Sequence, residues 1–147
     1  MRMPATDLQS DLTPESASGP AEAETLRGSI EAIVRAQFEA FRDRRREDSE
    51  ALLAPDFTFT SPYDDAIDRD AFFARCWPPG DEFAEFRVER IAADLEGAFI
   101  TYLITTDDGA QFRNTEYLTV ADGQIHSANV YFGASYADGQ FVAKQPE

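Results

Sequence analysis

Four consecutive stretches in the second half of the chain behave alike: EFRVERIAADL (85–95), AFITYLITT (98–106), AQFRNTEYLTV (110–120) and QIHSANVYFG (124–133). Each alternates in polarity or is rich in β-branched and aromatic residues, the composition of a pleated, half-buried strand. The breaks between them are short and turn-forming: EG at Glu96–Gly97, DDG from Asp107 and ADG from Ala121. Turns this tight join antiparallel neighbours, whereas parallel neighbours need a crossover of a dozen residues or more. The second half is therefore expected to form an antiparallel meander.

What precedes the meander is mostly helical in period. From Thr25 to Arg44, Ile30, Ile33, Val34, Phe38 and Phe41 recur at i, i+3, i+4, i+8 and i+11, one apolar stripe interrupted by Gln37. A short second helix is expected behind Asp48 as N-cap, with SEALLA as its body and Pro55 as its stop. DFTFTSP then switches to period two and sets Phe57, Phe59 and Ser61 on one face. A third helix follows Asp68 as N-cap, gathering Phe72, Phe73, Cys76 and Trp77 on one side until PPGD ends it. Helices grouped ahead of an antiparallel sheet make an α+β domain, and no internal repeat is present. Residues 1–22 lack periodicity and read as a disordered tail, 23–136 as the domain and 137–147 as a C-terminal tail.

Composition removes several function classes. The formal net charge of -15, from 28 acidic and 13 basic residues, is unsuited to nucleic acid or an anionic membrane. The apolar runs are too short for a transmembrane helix, and the first residues contain no apolar signal segment. One cysteine gives no intrachain disulfide, which fits a cytoplasmic protein. No glycine-rich phosphate loop supports a nucleotide, so no cofactor is expected.

The strand FRNTEYLTV holds an oddity. Phe112, Leu118 and Val120 share one face, and Asn114 and Glu116 lie on that face with them. A carboxylate among apolar neighbours needs a partner, a proton or water. The order of elements, with EALLAPDFTFTSP, an aromatic-rich third helix and the closing pair RNTEYLTVADGQIHSANVYFG, resembles the nuclear-transport-factor-2-like superfamily, in its SnoaL-like and ketosteroid-isomerase-like branches. The resemblance covers about Thr25 to Gly133. It implies a cone: a curved antiparallel sheet wrapped around the N-terminal helices, with a pocket at its open end.

That resemblance turns Asn114 and Glu116 into pocket groups and sends Phe57, Phe59 and Ser61 toward the same space, with Ala128, Val130 and Phe132 from the last strand. Trp77 and Leu118 complete the expected binding wall, and the ligand is expected to be a small apolar molecule. The steroid isomerases of the superfamily combine a carboxylate base with an oxyanion hole made by a tyrosine and a protonated acid. Here the base position falls at Ser61, the tyrosine near Gln37 or Phe38, and the second acid at Glu116. Serine cannot take a carbon-bound proton unaided, so ketosteroid isomerisation is not expected. Glu116 is the expected catalytic acid–base, its pKa raised by apolar surroundings, with Asn114 as its hydrogen-bond partner. The alternatives are a non-catalytic ligand-binding domain and an interaction domain with a filled pocket, in which Glu116 is paired internally with an arginine.

Other residues invite readings. His126 shares the Ala128 and Val130 face by alternation and could reach the pocket mouth. Cys76 reads as a small buried apolar residue, with Arg75 pointing off its face. Asp64, Asp65, Asp68 and Asp70 lack the glycine and terminal glutamate of a calcium loop, so caps rather than a metal are expected there. The opposite sheet face, with Arg113, Thr115, Tyr117, Thr119, Ser127, Asn129 and Tyr131, is the surface through which the resemblance implies a homodimer.

Overall fold

The computed structural model describes residues 19–77 and 83–143. Three helices come first in chain order, interleaved with two strands: α1 (Gly19–Arg42), α2 (Arg46–Leu52), β1 (Leu53–Ser61), β2 (Asp64–Asp68) and α3 (Arg69–Cys76). The meander follows as β3 (Phe83–Ala93), β4 (Gly97–Thr106), β5 (Gln111–Ala121) and β6 (Gln124–Ala137), with a short β7 (Gln140–Val142). The sheet runs β2-β1-β6-β5-β4-β3, with β7 added to β6. All pairings are antiparallel except β1 with β6, which is parallel and closes the end of the meander. The fold is α+β, a curved and mostly antiparallel sheet around the long N-terminal helix.

The apolar stripe drives that wrapping. Ile30, Val34 and Phe38 of α1 are buried against Phe86 of β3, Ile100 and Tyr102 of β4 and Leu118 of β5, with Ile33 and Phe41 packed at the margin. Phe57 of β1 and Phe72 and Phe73 of α3 complete the same core. The hairpin between β5 and β6 turns on Asp122 and Gly123, both at positive φ, the backbone that a two-residue primed turn demands.

Several boundaries differ from the sequence expectation. Helix α1 begins at Gly19, so residues 19–22 belong to it, while the expected tail over 1–18 lies outside the described residues. Arg45, not Asp48, precedes α2 at the cap position and makes no side-chain cap; Asp48 sits in the first turn, ion-paired with Arg45. The chain becomes extended at Leu53, before Pro55. Pro55 fits within β1 because the β1–β6 register is irregular between Leu53 and Thr58, where no regular ladder needs its missing N–H. Asp68 does cap α3, accepting from the Ala71 N–H at 2.9 Å. Strand β2 was not expected: five residues, three of them aspartate, give no period-two signal. Part of the stretch expected as a C-terminal tail forms β7, paired through Tyr136–Phe141.

Candidate functional site: a buried acid in an apolar cavity

A cavity of about 870 Å³ lies between the concave face of the sheet and helices α1 and α3. All nine residues expected at a site from the sequence line it: Glu116, Asn114, Phe57, Phe59, Ser61, Trp77, Leu118, Val130 and Phe132. Strand alternation delivers Asn114, Glu116 and Leu118 from β5, while the neighbouring strand supplies Tyr102 and Ile104. Most of the wall is aromatic or aliphatic, the usual build of a small-molecule site.

Glu116 is 7% exposed, and its partner is Tyr102 rather than Asn114 or an arginine. The Tyr102 hydroxyl donates to Glu116 Oε2 at 2.6 Å. Asn114 stands one step behind, its Nδ2 donating to the same hydroxyl at 3.4 Å. Asn114 Oδ1 in turn accepts from the Gly133 N–H at 3.3 Å. With its oxygen engaged by Asn114, Tyr102 directs its proton at Glu116. The tyrosine ring is fixed from two sides, stacked on Phe86 at 4.9 Å and tilted against Phe38 at 5.3 Å. Gly133 is required here: a Cβ would stand 2.0 Å from the Arg113 carbonyl oxygen, so any other residue would push β6 off β5 and take the Asn114 donor with it.

Burial is the dominant influence on Glu116, and it pushes the carboxyl up from its ordinary 4.5 to about 7 against the opposing pull of the Tyr102 hydrogen bond. Tyr102 is held well above its ordinary value, first by burial and then by the Glu116 charge, so it remains a donor. Among the described residues that line the cavity, Arg75 is the one cation. It is ion-paired to Asp64 Oδ1 at 2.6 Å, with the Arg75 side chain 57% exposed and that of Asp64 8% exposed. Arg75 and Cys76 both border the cavity, with the exposed Arg75 side chain engaged by Asp64. Cys76 is half-buried rather than sealed in the core. Ser61 lines the cavity and accepts from the Tyr63 N–H at 3.1 Å.

His126 does not reach the cavity. Thr119 pairs with Ser127 but Val120 pairs with Ile125, so one extra residue, His126, is accommodated on β6. This bulge reverses the side on which His126 falls. Its ring bonds Asp56 Oδ1 at 2.9 Å and the Ala121 carbonyl at 3.2 Å instead.

Tyr102 was missed by sequence reasoning, although a signal existed. Counting back from the turn, Thr105 pairs with Gln111 and Tyr102 with Asn114, the next pair on the same face after Ile100 with Glu116. That count puts the tyrosine diagonally beside the acid.

A family model for the SnoaL-like domain matches residues 34–128. No curated protein matches the chain. Solved structures do. A Kribbella flavida protein provisionally named a ketosteroid isomerase is 22% identical with a TM-score of 0.65, over 82% of this chain and 93% of its own. An LEH-like epoxide hydrolase of M. tuberculosis is 22% identical with a TM-score of 0.60, over 72% of this chain and 84% of its own. An NTF2-like protein of unknown function from Cytophaga hutchinsonii is 17% identical with a TM-score of 0.58, over 68% and 86%.

Proposed function

The chain belongs to the SnoaL-like domain family, and from that premise we propose that it performs proton-transfer chemistry on a small, largely apolar molecule, with Glu116 as acid–base. The observation that supports this reading is Glu116 itself: a carboxyl on the wall of a mostly apolar cavity, its pKa raised to about 7, with Tyr102 as its hydrogen-bond donor and, among the described residues, no cation paired with it. A carboxyl with that pKa exists in both forms at neutral pH, where a general acid or base works best. The ionised form takes a proton from a carbon acid or from water; the neutral form returns it to a developing oxyanion or leaving oxygen. Isomerisation, cyclisation and dehydration all reduce to such transfers. Two of the solved neighbours carry the names of enzymes, one provisionally a ketosteroid isomerase and one an LEH-like epoxide hydrolase.

The competing reading is a pocket that binds without turnover. Ser61 favours it, because the position that the resemblance gives to a carbon-acid base holds a hydroxyl. A deuterium exchange assay separates the two. With 2-acetylnaphthalene in D₂O, a working Glu116 takes a proton from the methyl group beside the carbonyl and returns deuterium, read by NMR. Glu116→Gln should lower the exchange rate about 100-fold or more while probe affinity changes little. Equal exchange by both proteins removes Glu116 from the chemistry. Tight binding with no exchange by the wild type assigns the pocket to binding alone.

A further inference from the structure

We infer that Arg75 binds a carboxylate at the cavity opening, so that the ligand is an apolar molecule bearing one acidic group. The inference rests on the pocket reading above and narrows the ligand class within it.

Arg75 of α3 and Asp64 at the start of β2 both line the cavity, and the exposed Arg75 side chain puts the pair where the cavity meets solvent. Asp64 is the buried member, and its Oδ1 has almost no surface in contact with water. Arg75 Nη2 stands 2.6 Å from that oxygen, yet no N–H of the guanidinium is aimed at it in hydrogen-bond alignment. Charge holds Arg75 in place while its donors point elsewhere. None of the described residues accepts a hydrogen bond from Arg75. A pair that served only to tie α3 to β2 would aim a donor at the carboxylate, because an aligned charge-assisted bond is about twice as strong as a neutral one. Moving Arg75 away would leave a buried carboxylate bare, so the guanidinium is kept at the opening. The rim beside it is aromatic: Tyr63 packs edge-on against Phe132 at 5.4 Å, and both line the cavity. The planar fork of a guanidinium matches the two oxygens of a carboxylate. Asp64 already offsets part of the Arg75 charge, which favours a monoanion over a phosphate dianion. Glu116 lies buried on the sheet wall of the same cavity. A molecule with its carboxylate on Arg75 therefore extends its apolar body inward, toward Glu116.

The test compares 6-acetyl-2-naphthoic acid with 2-acetylnaphthalene, which share the ring and the ketone and differ in the carboxylate. In Arg75→Gln the acid's dissociation constant should rise about tenfold relative to the neutral ketone's, the loss of a hydrogen bond to a charged group. Arg75→Lys keeps the charge but not the planar fork, so it should recover part of that loss. Added salt should weaken the acid relative to the ketone more in the wild type than in Arg75→Gln. Thermal melting of each variant verifies the fold. An unchanged ratio in Arg75→Gln, an equal loss for both probes included, would overturn the inference while leaving the proton-transfer reading intact. A wild type that binds the ketone but not the acid would do the same. Absence of exchange by the wild type sinks only the proton-transfer reading. Failure of the wild type to bind either probe overturns the pocket reading and this inference together.

Discussion

Tyr102 donates to Glu116 on the concave face of the sheet, and Tyr117, on the convex face, donates to Asp94 in the turn between β3 and β4. The contacts are alike, at 2.6 Å and 2.9 Å, but the carboxyls move in opposite directions. Glu116 is pushed up, because burial outweighs its one hydrogen bond. Asp94 is drawn below its ordinary 3.8, chiefly by the Glu96 N–H, with Tyr117 and the Gly97 N–H adding to it while water still reaches the group. A tyrosine partner therefore does not decide how a carboxyl titrates. The number of donors and the access of water decide it.

The largest way to test that contrast is to titrate stability. A carboxyl whose folded pKa is raised binds its proton more tightly in the native state than in the unfolded one. Stability is then lost as pH rises from the unfolded pKa to the folded one, here from about 4.5 to about 7. The shift corresponds to about 3 kcal/mol. Urea unfolding of the wild type and of Glu116→Gln should therefore diverge across that window, with the wild type losing about 3 kcal/mol relative to the variant and the difference staying flat above it. Parallel curves would mean that Glu116 is better hydrated than its burial implies.

The next effect comes from the tyrosines. Tyr102→Phe leaves Glu116 with no hydrogen-bond donor from the described residues. It should cost about 1–3 kcal/mol at neutral pH and raise the Glu116 pKa further, since the bond that opposed burial is gone. Tyr117→Phe should stay within about 0.5 kcal/mol, because water replaces the hydroxyl. Denaturant midpoints of the two variants measure the asymmetry directly, and equal losses would remove the distinction between the faces.

The same contrast separates what the sequence disclosed from what it withheld. Period two in FRNTEYLTV was enough to place Asn114 and Glu116 on the apolar face of their strand, since alternation is a local property, and the family resemblance made that face a cavity wall. Identifying the partner of Glu116 required the register between β4 and β5, a relation between segments. His126 was misplaced for a related reason: one bulged residue on β6 reverses every inference from alternation beyond it. Arg75 and Asp64 belong to a short helix and a short strand of weak periodicity, and their meeting at the cavity is a tertiary fact. Gln37 was visible as a break in a stripe, but only Ser49, on the next helix, reveals which way its amide is turned.

The smallest effect is the most exacting test of sign. Asp94 Oδ1 accepts from the Glu96 and Gly97 N–H groups, each at 2.8 Å, and both Asp94 oxygens are within reach of the Tyr117 hydroxyl. Its folded pKa is depressed, so its contribution is fully present above the unfolded value near 3.8 and is lost as pH falls through the lower folded value. Asn at position 94 can still accept from the turn, and the site is screened by solvent, so Asp94→Asn should cost only a small fraction of what the Glu116 titration shows. Below pH 4 the wild type should converge on Asp94→Asn, whereas wild type and Glu116→Gln diverge as pH rises above that range. Measured on one protein under one set of conditions, the two slopes should have opposite signs. If the Asp94 slope instead matched that of Glu116, desolvation would dominate on both faces, and the exposed turn would have to be as dry as the cavity wall.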